Sequence, residues 1–297
     1  MHNLSSMHNF NIVTDSSADL MLNYYKEIDV QVMPMHYIIE DKEYIDGLDD
    51  ENHSEFFSQM KNGAIAKTVQ VSVDNYLTYW ETIYQQGPII QIALGSSLSG
   101  TYSSGVVAAK EFQSMHPDAV IYVIDSLGAS VGQGQLCKYA SDLRNEGKDA
   151  KTVFELVQSS IKHNNIWFTV DDLIYLKRGG RLSSASAFFG SLLSIKPILA
   201  VGKDGSLLAA EKQKGRKKAL RRLIEIFQEK RINQFGNDVF IGHSACPNDA
   251  EEFKNMLLDT DPSLNIKVSQ IGPIIGSHTG PGLIVFSFFG SPRDLEK

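Results

Sequence analysis

Cysteine is scarce in this chain. Cys137 and Cys246 are the only two in 297 residues, stand far apart in sequence and match no metal-ligand spacing. A disulfide framework and a cysteine-based zinc site are therefore both excluded, and a reducing compartment suits the chain. Positive charge is also in deficit: 28 Lys and Arg face 35 Asp and Glu, for a net charge of −7. That is the wrong sign for a protein that neutralises duplex phosphates, so no nucleic-acid partner is expected. No apolar run approaches the ~20 residues that span a bilayer. The opening MHNLSSMHNF has neither the basic nor the apolar region of a secretory signal. The 23 glycines never fall into GxGxxG or a Walker lysine loop, which removes support for a nucleotide fold. A chain that is 42% hydrophobic and 21% charged is expected to be a cytoplasmic protein large enough for two domains, with a flexible leader over 1–9 and no metal or cofactor.

What is present is a repeated grammar of buried strand, polar elbow and helix. Residues 89–109 (IIQIALGSSLSGTYSSGVVAA) hold the fullest copy. The run 89–94 reads as a strand buried on both faces, and Gly95 breaks it. Ser96, Ser97, Ser99, Gly100 and Thr101 then lead into a helix through Val106, Val107 and Lys110. Free N–H groups and the positive end of the helix dipole suit a carboxylate or phosphate at such an elbow; a serine there equally serves as an ordinary cap. Asp15, Ser16 and Ser17 close the strand that begins at Asn11, and Asp125 and Ser126 close the strand 120–124. Gly128, Gly132 and Gly134 follow it, permitting close approach of backbone or ligand. In open α/β sheets ligands gather beyond the carboxyl ends of strands, so the Asp15 and Ser97 elbows are expected to be neighbours. Three such units imply a mostly parallel sheet with helices on both faces.

Between these units, residues 30–39 are β-prone and Glu40 to Glu43 turn them back as a hairpin. Residues 52–60 read as a helix and 67–72 as extended. Tyr76, Leu77, Trp80, Ile83 and Tyr84 form one apolar helix face, which core packing explains. From residue 165 the texture changes to hairpins alternating with helices. A short helix over 171–182 carries Lys177, Arg178 and Arg181 around Gly179 and Gly180. A small-residue helix over 183–193 brings Phe188, Phe189, Leu192 and Leu193, either to a hydrophobic tunnel or to tight core. Lys203-Asp204-Gly205 marks a hairpin. The next helix begins with Arg216, Lys217, Lys218, Arg221 and Arg222; cations there oppose the helix dipole and are expected to answer something outside it, or to form a plain solvated face. Further strands are expected at 238–244, 266–271 and 283–288, with a helix at 249–258. His278 lies in Gly276-Ser277-His278-Thr279-Gly280-Pro281-Gly282, read as a loop whose stiff flanks turn the ring toward a cleft. The division is an α/β domain over 10–164 and an α+β domain over 165–297.

Seven segments together, TDSSADL from Thr14, KTVQVS from Lys67, SSLSGTYSS from Ser96, IDSLGAS from Ile124, TVDDLIYLKRGGRL from Thr169, KPIL from Lys196 and GSHTGPG from Gly276, resemble the DegV family. These are bacterial fatty-acid-binding proteins that serve as the FakB component of fatty acid kinase. The resemblance runs over residues 12–290. It implies a two-domain DegV-like fold that holds a long-chain fatty acid between its domains, the tail in an apolar tunnel. It further implies a separate kinase subunit that phosphorylates the carboxyl to an acyl phosphate. The binding protein then carries the product toward phospholipid synthesis, with transient contact to a membrane acyltransferase.

Carried over, the carboxyl-binding group is Thr68, the elbow serines Ser97 and Ser99, and His278, with the choice of serine left open. Asp15, Ser16, Ser96, Gly100, Thr101, Asp125, Ser126 and Gly280 support it, and Arg181, Arg216, Lys217 and Arg221 are candidates for docking the kinase. One departure stands out. The family's threonine-serine-glutamine-proline-serine reads Thr68-Val69-Gln70-Val71-Ser72 here, without the stiffening proline. The competing reading is an acyl hydrolase or acyltransferase with Ser97 or Ser99 as nucleophile and His278 as base. Against it, the serine lies outside any GxSxG elbow and no acid stands out to orient the histidine.

Overall fold

The computed structural model describes residues 9–182 and 195–296. The first half runs through β1 (Asn11–Asp15), a 3-10 turn (Ser16–Ala18), α1 (Leu22–Glu27), β2 (Gln31–Met33), β3 (His36–Ile39), β4 (Lys42–Ile45) and α2 (Asp50–Lys61). It continues with β5 (Ala66–Val69), α3 (Val73–Glu81), β6 (Ile89–Ala93), α4 (Thr101–Met115), β7 (Ile121–Asp125), α5 (Val131–Asn145) and α6 (Ala150–Ser160). The second half holds β8 (Asn164–Thr169), α7 (Ile174–Arg178), β9 (Ile195–Val201), β10 (Leu207–Lys214) and α8 (Arg216–Lys230). It ends with β11 (Asp238–His243), α9 (Pro247–Thr260), β12 (Asn265–Gln270), α10 (Pro273–Thr279) and β13 (Ile284–Phe289).

Strands β2, β1, β6 and β7 lie side by side in that order, all parallel. β1 and β6 are buried at every position, so neither shows the regular alternation of a half-buried strand. The large second sheet has the order β10-β9-β8-β13-β11-β12 and is antiparallel except between β11 and β12. Its residues do alternate. Ile166, Phe168, Leu199 and Val201 join the core shared with the first sheet, while Trp167, Ile198, Ala200 and Phe286 pack in the layer of Leu223, Phe227 and Phe253 from α8 and α9.

α5 lies between the two sheets, against β1 and β6 on one side and β8, β11 and β13 on the other. Two of its glycines make that possible. A Cβ at Gly132 would stand 2.2 Å from Ile166 Cδ1, and one at Gly134 2.6 Å from Leu20 Cδ2. The close approach expected of backbone or ligand is made here chiefly by core side chains. The core runs without a break from residues of the first sheet to residues of the second.

One expectation is corrected. Residues 30–39 are not a single extended arm: they divide at Pro34, which has no N–H for a ladder, so β2 joins the parallel sheet and β3 leaves it. β3 and β4 form the expected hairpin, turned by Glu40 and Asp41 at φ 49° and 57°, the left-handed geometry of a two-residue turn. β5 then adds to β3, giving a small third sheet in which Thr68 stands opposite Tyr37. The helix expected over 183–193 and the leader through residue 8 lie outside the described residues. Among the described residues no helix is long and apolar enough to cross a membrane, and no group of three or more His, Cys, Asp or Glu is placed to hold a metal ion.

Candidate functional site

The third sheet, the β6–α4 elbow, α7 and α10 meet around a cavity of about 370 Å³. Most of its wall is apolar. Ile166, Phe168, Val201, Leu207 and Val285 come from the large sheet, and Met35, Leu94, Leu98, Leu176, Ile274 and Leu283 from the elements facing it. Its polar lining comprises Thr68, Gln70, Ser99, Arg181 and His278 together with Ser130 and Thr279. A second hollow of about 330 Å³ shares Thr68, Arg181 and His278 and adds Lys67, Tyr175, Arg178 and Gly179. The three shared residues therefore stand between an apolar space and a basic one.

Thr68 and His278 are brought together from opposite ends of the chain, with Thr68 Oγ1 and His278 Nε2 2.9 Å apart. Thr68 is placed by its register on β3, and His278 by α10, where it occupies the last turn. This corrects the loop expected for His278. Pro273 starts the helix and Gly280, at φ 71°, stops it. Gly276 lies within the helix because a Cβ there would meet Phe57 Cζ at 2.6 Å. Gly280 has a second reason to be glycine, since a Cβ would lie 2.2 Å from Tyr175 Cδ2.

His278 Nδ1 is buried and has no partner among the described residues. It faces Gly179, where a Cβ would stand 2.3 Å away. Gly179 has φ −71°, so alanine is not strained there and only the space is lost. Gly179→Ala is accordingly expected to push the imidazole off Thr68 with little change in global stability; His278 ring signals that stay where they are in NMR spectra would refute this.

Burial, and then the neighbouring Arg181 charge, push the His278 imidazole from its ordinary 6.5 down to about 4. The ring is neutral near neutral pH. Because the unfolded chain takes up the proton at the higher value, the associated stability is complete above about 6.5 and is lost as pH falls toward 4. Its size is on the order of 3 kcal/mol. A carboxylate placed beside the ring favours imidazolium and raises this value. An NMR titration with and without a bound acid is expected to show that upward displacement, and a downward one would contradict it.

Arg181 is fixed by donation from Nε to the Leu98 carbonyl at 3.1 Å and by a further bond to the Gly179 carbonyl. The elbow serines divide. Ser99 lines the cavity, accepts from Thr101 N–H at 3.2 Å and lies 2.9 Å from Thr101 Oγ1. Ser97 instead donates to the Asp204 carbonyl in the β9–β10 turn and is not in the cavity wall. Neither serine hydroxyl bonds His278, so the serine–histidine pair of an acyl hydrolase is not formed.

The supporting elbows hold the scaffold. Asp15 accepts from Leu94 N–H at 2.9 Å and from Ser17, and burial raises its pKa. Ser16 Oγ accepts from Met35 N–H at 3.0 Å. Asp125 accepts from Ser96 N–H and Leu127 N–H, both at 3.0 Å, and Ser126 Oγ donates to the Gly128 carbonyl at 3.1 Å. Thr101 Oγ1 accepts from Val71 N–H at 3.3 Å; a proline at position 71 has no such donor. Gly100 keeps clear of Gln70, whose Oε1 would be 2.3 Å from a Cβ.

Two cations of the basic helix answer carboxylates outside it, Asp249 and Glu211, as expected. Arg216 pairs with Asp249 at 2.8 Å, and Arg222 with Glu211, Glu225 and Glu229. Those two cations are answered within the fold, whereas Lys217 and Arg221 are exposed. Gln70, Gly179 and Ser130, which line one or other hollow, were not singled out from sequence. Only the paired glycines before Arg181 signalled the tight contact at Gly179.

The DegV family of uncharacterised proteins matches residues 9–290. A DegV domain-containing protein of Clostridium perfringens is 38% identical over 290 residues, covering 97% of this chain and 100% of that one. Among solved structures, a Thermus thermophilus DegV family protein described by its fatty acid binding superposes with TM-score 0.85 at 26% identity, over 95% of this chain and 99% of that chain. A fatty acid binding DegV family protein of Streptococcus agalactiae does so with TM-score 0.82 at 28% identity, over 97% and 100%. By sequence over residues 9–290 and by fold, this chain belongs to the DegV family.

Proposed function

We propose that this protein binds a long-chain fatty acid between the halves 10–164 and 165–297, tail in the apolar cavity and carboxyl at Thr68, Ser99, Arg181 and His278. The observation that carries this reading is the junction of the two hollows: an apolar space closed on one side by hydroxyls, a neutral imidazole and a fixed guanidinium. The relatives described as fatty-acid-binding support it.

The energetics assign different jobs to the two ends. About fourteen methylenes at roughly 0.8 kcal/mol each contribute on the order of 11 kcal/mol before ordering costs, so the tail supplies affinity. A buried carboxylate costs several kcal/mol unless it is paired and hydrogen-bonded, and the polar group offsets that cost while fixing orientation. The carboxyl then faces the basic hollow, where a separate kinase subunit phosphorylates it. Exposed Lys217 and Arg221 supply a docking surface for that subunit, and the protein itself performs no chemistry. The resulting acyl phosphate is carried in the cytoplasm to a membrane acyltransferase for phospholipid synthesis.

Native mass spectrometry of the purified protein tests the binding step. A long-chain fatty acid released on activation is the expected result. A protein that neither arrives with one nor takes one up on addition would refute the reading.

A further inference from the structure

Three cations converge on the second hollow without an anion to answer them. Lys67 on β5, Arg178 at the end of α7 and Arg181 just beyond it all line that space, and no Asp or Glu does. Among the described residues none of the three pairs with a carboxylate, whereas Lys196, Arg216, Arg222, Lys230 and Arg231 each do. Arg181 uses only part of its donor set, on the Leu98 and Gly179 carbonyls. Ordinary roles cover each residue singly: a cation in the last turn of a helix complements the dipole, and a lysine on an edge strand discourages pairing with another chain. Those roles do not account for three uncompensated charges around one hollow, where mutual repulsion is unfavourable unless something negative lies between them.

Thr68, Arg181 and His278 border both spaces, so a carboxyl held by them has the apolar cavity on one side and this hollow on the other. The hydroxyls, the imidazole and Arg181 already answer a singly charged carboxylate. Lys67 and Arg178 line the hollow alone and are exposed, and they supply charge that such a carboxylate does not require. A phosphoryl group joined to the carboxyl carries roughly −1.5 to −2 charge near neutral pH and has three strong acceptor oxygens. The apolar cavity would strip that group of water with nothing in return. The hollow offers it cations that keep contact with water.

We propose that Lys67 and Arg178, together with Arg181, form a seat for the phosphoryl group of an acyl phosphate, so that the protein holds the phosphorylated acid more tightly than the free acid. The proposal rests on the fatty-acid reading above. Arg178 brings a planar fork suited to two phosphate oxygens, and Lys67 a compact charge on a flexible stem. Inorganic phosphate shares this chemistry but has no tail to anchor it.

The probe is the methylene phosphonate of stearic acid, in which CH2 replaces the anhydride oxygen of the acyl phosphate and blocks hydrolysis. It competes with labelled stearic acid in equilibrium dialysis against the wild type, Lys67→Gln, Arg178→Gln and the double variant. The wild type is expected to favour the phosphonate by about tenfold or more, and by less as salt is raised, since the added contacts are charge interactions near water. Each single variant is expected to cut that preference by about three- to tenfold and the double variant to remove it, with stearic acid affinity kept within about twofold. Inorganic phosphate in millimolar excess is expected to displace neither ligand; displacement of the phosphonate would assign the hollow to the free ion and overturn the proposal. Stearic acid uptake with no preference for the phosphonate in the wild type, or with the same preference in the double variant, overturns the seat alone. Failure to take up either ligand overturns the fatty-acid reading and the seat with it.

Discussion

Replacing His278 by alanine is expected to leave a protein that still holds a long-chain fatty acid but yields almost no acyl phosphate when the kinase subunit and ATP are supplied. The tail contacts are untouched, so affinity is expected to fall by about tenfold or less, the worth of one lost hydrogen bond. The rate is expected to fall by about a hundredfold or more, because a carboxyl that is no longer held in one orientation forfeits the advantage of a near-attack geometry. Thr68→Val, which keeps the shape of the side chain and removes the hydroxyl bonded to His278, is expected to reproduce most of the loss. Radiolabelled phosphate incorporation measures the rate, and equilibrium uptake of a labelled acid measures the affinity. If both fell equally, His278 would be a binding residue only, and if neither fell the placement of the carboxyl would be wrong.

The largest effect on stability is expected at Arg293, near the end of the chain. The side chain is 6% exposed and donates to the Leu127 carbonyl at 2.7 Å, the Gly202 carbonyl at 3.2 Å and the Ile161 carbonyl at 2.8 Å. Those acceptors belong to the loop after β7, the β9–β10 turn and the end of α6, so one guanidinium ties the first parallel sheet to the large one. Burial pushes its pKa down to about 10, yet it stays charged near neutral pH. Arg293→Ala leaves three carbonyls without their donor and is expected to cost about 3–5 kcal/mol. Arg293→Lys, with one point charge in place of a planar fork, is expected to recover less than half. Urea unfolding measures both. A loss below about 1 kcal/mol for alanine would show that the tie adds nothing beyond an ordinary surface residue.

The parallel core was legible in the sequence because β1, β6 and β7 are short β-prone stretches that each lead into an Asp or Ser elbow. The third sheet was not legible, since Thr68 pairs across β3 and nothing in the local pattern of 66–69 distinguishes a strand of this sheet from one of the first. His278 was placed on a loop because its glycines were read as turn residues. Gly276 is instead a contact glycine under Phe57, a distinction that depends on tertiary neighbours. The pairing of Arg216 with Asp249 and of Arg222 with Glu211 depends on tertiary neighbours in the same way. The convergence of Thr68, Ser99 and His278 could be expected only through the family resemblance; spacing alone left Ser97 and Ser99 equivalent. What separates them is the reach of Ser97 to the Asp204 carbonyl, a contact between parts of the chain that the sequence does not show to be adjacent.

Carboxyl-labelled stearic acid, followed by carbon NMR while bound to the wild-type protein and to single variants, tests the position of the headgroup most directly. One bound resonance is expected, titrating below the free acid and displaced in Thr68→Val, Ser99→Ala and His278→Gln. Ser97→Ala and Lys217→Ala are expected to leave it where it is. A bound carboxyl resonance that is identical in all five variants would contradict the account.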